Sequence, residues 1–226
     1  MSSFVSARQF YEQLRSEVNN GNPFLDASAQ SLLRAHYPVM LSPQKNPPEL
    51  AATIYAERRR HSVAAILETK DAVVFDAGCA FGSESFLFAS LGARVLAVDN
   101  DAEKIRTARL RQKYYEEYFQ RALDITFVVA DLDTYVPEMK SLSLTWLASV
   151  LAAIPHQENF LRRLHDKTRQ GGRVMVSDMN LWNPLFFAGE YRRRWRAAKI
   201  NRAFAREQNF GAMFARRGRA GARYFS

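Results

Sequence analysis

Val73-Val74-Phe75-Asp76-Ala77-Gly78-Cys79-Ala80-Phe81-Gly82 is the stretch on which the fold of this 226-residue chain turns. Its apolar start reads as a strand, because Val and Phe suit a pleated, buried surface. The run ends in a carboxylate, crosses a turn of small residues and enters a helical segment at Ser83 to Ser90. Further on, Arg94-Val95-Leu96-Ala97-Val98 ends in Asp99, and Ile125-Thr126-Phe127-Val128-Val129-Ala130 ends in Asp131. Three strands that each close on an acid gather those acids along the carboxyl edge of one sheet. In open α/β folds that edge binds ligands.

The surrounding segments keep the alternation going. A helix is expected over Leu50 to Glu68, leading into the first strand. Asn100 and Glu103 stand at capping-box spacing, which predicts a helix from Asn100 to about Gln120. Leu142 to Ala148 reads as a fourth strand. Gln157 to Gln170 reads as a helix, stopped by Gly171-Gly172, where glycine tolerates a left-handed turn. Arg173 to Asp178 is the fifth strand. Helices and strands in alternation predict an α/β fold, doubly wound, with a mainly parallel sheet and helices on both faces.

The ligand follows from the turn. A dinucleotide needs G-x-G-x-x-G so that its pyrophosphate can reach bare backbone at a helix N-terminus. Here the middle position of Gly78-Cys79-Ala80-Phe81-Gly82 carries a methyl group, which disfavours a nucleotide-dependent oxidoreductase. S-adenosylmethionine has no phosphate. Asp76 suits its ammonium and sulfonium region, Asp99 the two ribose hydroxyls, and Asp131 the adenine amino group.

These residues also carry a family resemblance. Asp76 to Gly82 resembles the D-x-G-x-G-x-G loop of class I S-adenosylmethionine-dependent methyltransferases, with Ala80 in place of the middle glycine. Ala93-Arg94-Val95-Leu96-Ala97-Val98-Asp99 resembles their second-strand motif, and Val129-Ala130-Asp131 their adenine-side motif. Gln170-Gly171-Gly172-Arg173-Val174-Met175-Val176 is similar to the turn and fifth strand that follow. The resemblance covers Val73 to Asn180, about half the chain, and implies a Rossmann-like fold, methyl transfer and S-adenosylmethionine as cofactor. It implies a cofactor-binding set of Asp76, Gly78, Cys79, Ala80, Gly82, Asp99, Asn100, Asp131 and Leu132. It also implies a terminal antiparallel hairpin. Few β-rich runs follow Asp178, so that hairpin is expected to be missing or altered. The exposed sheet edge that results invites a homodimer or a partner subunit.

Three regions are expected: an N-terminal helical cap (1–49), a cofactor-binding core (50–181) and a basic C-terminal segment (182–226). In the cap, Phe10, Tyr11, Leu14 and Val18 share one face of a helix over Phe4 to Val18, and Ala27 to His36 forms a second. Pro43 to Pro48 is a rigid connector. In the family resembled, such helices close over the cofactor, which makes Tyr11, His36 and Tyr37 candidates for lining the substrate pocket. Trp182 and Asn183, with Asn180, follow the fifth strand, where Trp182 can stack on a planar substrate. His156 is the candidate general base, since a hydroxyl or amine acceptor must lose a proton. His61 and His165 sit in charged helical stretches and read as surface residues.

Composition bounds the rest. Residues 1–181 hold 21 Lys/Arg against 21 Asp/Glu, so the whole net charge of +9 lies in the last segment. The favoured reading of that segment is a solvated helix face. The alternative is an anionic partner such as RNA. One cysteine, Cys79, excludes an intramolecular disulfide and fits a reducing, cytoplasmic setting. Met1 to Leu14 carries no apolar leader, no run approaches the ~20 apolar residues of a membrane span, and no His/Cys/Asp/Glu grouping has metal-ligand spacing. The expected function is methyl transfer to a small-molecule, glycan-linked or lipid-linked acceptor. Alternatives are a cofactor-binding but catalytically impaired partner protein and an RNA methyltransferase.

Overall fold

Near-continuous burial of three central strands builds the sheet. In a computed structural model of the chain, which describes residues 6–38, 40–41, 47–135, 137–138 and 141–177, five parallel strands pair side by side. They are β1 (Val73–Ala77), β2 (Arg94–Asp99), β3 (Ile125–Val129), β4 (Leu142–Ala148) and β5 (Thr168–Ser177), in the order β3-β2-β1-β4-β5. Strand order reverses at β1, the switch point at which a crevice opens outside the carboxyl ends. β1, β2 and β4 are buried along most of their length, as parallel strands covered on both faces require.

Six α-helices and one 3-10 turn (Leu151–Ala153) complete the described part: α1 (Ala7–Asn20), α2 (Ala27–His36), α3 (Pro48–Leu67), α4 (Ser83–Ser90), α5 (Ala102–Phe119) and α6 (Gln157–Lys167). Val74 and Trp146 join Phe86 and Phe88 of α4 and Phe10 and Leu14 of α1 in one apolar cluster. Phe75, Ala77 and Leu147 join Phe160 and Leu164 of α6 in the other. Helices therefore cover both faces, as the alternation predicted. None of the described helices is long and apolar enough to cross a membrane.

Three local expectations are corrected. The helix before β5 stops at Lys167, where Thr168 Oγ1 donates to the Leu164 carbonyl at 2.7 Å. Gly171-Gly172 does not cap it. The pair sits inside β5, Gly171 at φ +75°, where pairing with β4 slips between Leu142 and Leu144. A Cβ on Gly172 would lie 2.6 Å from the Leu142 carbonyl oxygen, so the bulge needs bare backbone. The N-cap of α5 is Asp101 rather than Asn100: Asp101 Oδ1 accepts from Glu103 N (3.0 Å) and Lys104 N (3.2 Å). Asp99 Oδ1 already takes the Asp101 N–H at 3.0 Å, which moves the helix start one residue on. Pro48 belongs to the first turn of α3, where its missing N–H is harmless.

The predicted first helix begins at Ala7, capped by Ser6 and Gln9 in a reciprocal box. The basic segment 182–226, Asn180, Trp182, Asn183 and the expected loss of the C-terminal hairpin lie outside the described residues. So do residues 42–46 of the proline-rich connector.

Candidate functional site

The glycine loop is held by backbone geometry first. Gly78, Ala80 and Gly82 all take positive φ (+76°, +47° and +77°), so left-handed residues alternate along the turn. Gly78 N and Cys79 N donate to the Val98 carbonyl (2.8 and 3.0 Å), pinning the loop to β2. A Cβ on Gly78 would meet Val150 Cγ2 at 2.5 Å, and one on Gly82 would meet Phe127 at 2.9 Å. Ala80 adopts the left-handed form despite its methyl group, at a cost of roughly 1 kcal/mol relative to glycine. Its N–H donates to Asp99 Oδ2 at 2.9 Å.

Sheet register sets the acids. Asp76 pairs with Ala97, two residues before Asp99, and Asp99 pairs with Val129, two residues before Asp131. The acids step outward along the edge by two residues per strand, about 6.6 Å each time. Asp76 is 2% exposed and accepts from Ser85 Oγ at 2.5 Å. Burial, with the Glu84 charge, pushes its carboxyl up to about 7, against the pull of Ser85 and Arg59. Asp99 is 8% exposed, with Lys104 Nζ 4.0 Å away. Each of its oxygens accepts one backbone N–H and keeps capacity for a second bond. Asp131 Oδ1 accepts from Asp133 N at 2.9 Å, which shapes the turn after β3.

The other predicted residues are dispersed. Leu132 is a core residue packed with Phe75, Leu96 and Val98. Asn100 is exposed. Burial raises the Cys79 thiol well above its usual range, which keeps it from acting as a thiolate nucleophile. His156 precedes α6, with its ring Nδ1 2.7 Å from Asp133 Oδ2 and its backbone N donating to Asp133 Oδ1 at 3.0 Å. Asp133 thereby orients the imidazole and leaves Nε2 outward, and the hydrogen bond from His156 holds the Asp133 carboxyl below its usual range.

Two buried arginines that sequence reading did not single out stand behind the loop. Arg111 donates to both carboxylate oxygens of Glu17 (2.8 and 2.6 Å), to the Phe81 carbonyl and to Ser83 Oγ. Tyr115 Oη and Asn22 Nδ2 also donate to Glu17. The first helix is thus tied to the glycine loop. Arg59 pairs with Glu84, lies 3.4 Å from the Tyr55 ring centre and donates to the Tyr55 carbonyl. Burial works to raise Glu84, but the charge and hydrogen bonds of Arg59 hold it below the usual carboxylate range.

Arg59 also forms part of a cavity of about 320 Å³, walled by Tyr11, His36, Tyr37, Tyr55 and Arg58. None of the three acids lines it. Its walls nonetheless reach the loop: Tyr37 Oη lies 2.5 Å from Ser83 Oγ, and the His36 ring centre is 5.0 Å from that of Phe81. The sequence signal was partial here, since Tyr11, His36 and Tyr37 were named as lining residues and the arginines were not.

Residues 68–215, more than half of the chain, match the family model described as a methyltransferase domain. The chain belongs to the class I S-adenosylmethionine-dependent methyltransferase family, and S-adenosylmethionine is its cofactor. No curated protein matches the chain. Among solved structures it is similar to the PH0226 protein from Pyrococcus horikoshii OT3, at 21% identity and a TM-score of 0.49 over 69% of this chain and 66% of that one. A second is an S-adenosylmethionine-dependent methyltransferase from Mesorhizobium loti, at 22% identity and a TM-score of 0.44 over 54% and 53%. The chain spans between about half and two thirds of the length of these proteins. The residues present fit the cofactor: bare left-handed backbone lies beside two carboxylates, and a cation would draw Asp76 toward its charged form.

Proposed function

We propose that this chain moves a methyl group from S-adenosylmethionine to a small-molecule, glycan-linked or lipid-linked acceptor. The observation that carries the reading is the pairing of Asp76 and Asp99 with the loop of alternating left-handed residues at the carboxyl edge. In this reading Asp76 faces the cationic end of the cofactor and Asp99 the ribose. Asp131, Leu132 and Asn100 border the adenine, and the Gly78 to Gly82 backbone forms the floor.

The cofactor supplies a methyl made electrophilic by a sulfonium. What remains for the protein is alignment, which can lower a barrier by on the order of 7–11 kcal/mol at best. For a hydroxyl or amine acceptor, His156 Nε2 takes the proton, with Asp133 fixing the ring. Trp182, Asn183 and Tyr11 remain the proposed acceptor-side residues. A catalytically impaired protein is the second reading, motivated by Ala80 among other features, including the histidine displaced to position 156. The geometry weighs against the Ala80 part of it, because Ala80 takes the loop conformation and keeps its bond to Asp99.

Calorimetric titration with S-adenosylmethionine, its demethylated product and NAD tests the site. Heat with the first two is expected, and Asp99→Ala should weaken them by roughly 1–3 kcal/mol. Heat with NAD alone would end the methyltransferase reading. Release of labelled methyl into an extract, lost in His156→Ala at unchanged cofactor affinity, tests the base.

A further inference from the structure

The cavity beside the glycine loop has a chemistry of its own. Met40, Leu50, Ile54 and two prolines make most of its wall apolar, and three tyrosines line the remainder. Two charged residues, Arg58 and Arg59, line it, and no acid does. Arg59 is neutralised by Glu84. Arg58 is not: its Nε and Nη2 both turn to one neutral acceptor, Ser177 Oγ (3.2 and 2.7 Å), and among the described residues no carboxylate lies within 4.0 Å of it. Among the described residues, then, one guanidinium without a carboxylate partner stands on a mostly apolar wall, with donors to spare.

A second feature marks this wall. Tyr55 Oη and Arg59 Nε are buried without a hydrogen-bond partner among the described residues. Natural cores leave few such atoms unpaired, and each calls for a partner or an explanation. Position completes the case. Tyr37 meets Ser83, His36 meets Phe81 and Arg59 meets Glu84, so three wall residues touch the end of the glycine loop and the start of α4. The cavity therefore adjoins the end of the glycine loop and the start of α4, the helix whose Ser85 bonds Asp76.

We infer that this cavity is the acceptor pocket and that it takes a small, mostly apolar carboxylic acid, whose carboxylate anchors on Arg58. The inference rests on the methyltransferase reading only for the word acceptor. The binding chemistry stands without it. A planar carboxylate matches the guanidinium fork, whereas an amine would meet a positive wall. At about 320 Å³ the cavity falls at the small end of ligand sites. Arg58 is exposed to water at the rim of the cavity, which screens the pair and keeps the expected selectivity near tenfold.

The test uses 3-phenylpropanoate, its amide and 2-phenylethylammonium as probes, titrated calorimetrically into the full chain with and without the demethylated cofactor. The acid should bind about tenfold tighter than the amide, and the ammonium should give no heat. Arg58→Gln should weaken the acid about tenfold and leave amide and cofactor affinities unchanged. Ile54→Trp, which fills the cavity, should abolish both acid and amide binding. Equal binding of acid and amide, or no acid binding at millimolar concentration, overturns the proposal. So does an Arg58→Gln variant that loses the cofactor instead, since the guanidinium would then serve the carboxylate of the cofactor itself. Acid binding with no heat from either form of the cofactor would uphold the anion-binding pocket and defeat the methyltransferase reading.

Discussion

Arg111 and Arg59 are both buried behind the glycine loop, but their surroundings differ. Arg111 is fully enclosed and spends its donors on Glu17, Phe81 and Ser83, while Tyr115 and Asn22 complete the carboxylate. Arg59 pairs with a carboxylate that keeps 18% of its side chain exposed, leaves Nε without a partner and borders an open cavity. A charge whose hydrogen bonds are all used within the chain can only hold structure. A paired charge that leaves one donor unmatched at a cavity wall costs stability there.

The largest expected effect breaks the first region. Glu17→Ala strands Arg111 in a dry site and should lower the unfolding free energy by about 3–5 kcal/mol, read by urea denaturation. Glu84→Gln should lower it by less, about 1–3 kcal/mol, because Arg59 is already imperfectly matched. Equal losses would erase the contrast.

A pH series sharpens it next. Asp76 keeps its proton to about 7 in the fold, against an ordinary value of 3.8, because it is buried beside Glu84. Between those values the folded chain binds more protons than the unfolded one. The contribution of Asp76 to stability is therefore full below about pH 4 and is lost as pH rises through about 7, a fall of a few kcal/mol. Asp76→Asn should flatten the fall. An unchanged pH profile would show that the loop region does not hold a neutral acid. In the wild type, cofactor binding near pH 7 should release protons, seen as heats that vary with the ionisation enthalpy of the buffer.

The smallest effect lies within the loop. Ala80→Gly relieves a left-handed alanine but loosens the unfolded chain, so thermal stability should rise by less than about 1 kcal/mol or stay level. A loss above about 1 kcal/mol would mean that the Ala80 methyl packs in a way glycine cannot replace.

Much of this was legible in order and spacing. The strands ending at Asp76, Asp99 and Asp131 and the helix over Ala27–His36 could be read from local pattern, whereas the lining residues Tyr11, His36 and Tyr37 followed only from the family resemblance. The glycine pair at 171–172 could not. A helix stop and a strand bulge need the same residue, and only the approach of the Leu142 carbonyl separates them. Asn100 does not cap α5 because Asp101 takes the Glu103 N–H that a cap at Asn100 would use, and two adjacent capping residue types look alike in sequence. Both arginines escaped notice because Arg111 and Glu17 lie 94 residues apart, and no short window joins them.

The amino-acid order by itself determined the parallel α/β fold, the acidic carboxyl edge and the cofactor class, since each depends on apolar periodicity and on turn residues that act over a few positions. Tertiary structure alone decided which arginine is locked and which faces a cavity, that Asp133 holds His156, and that Asp76 stays protonated to about 7. Those properties arise from burial and from partners distant in sequence, and desolvation is a property of the packed chain rather than of any residue in it.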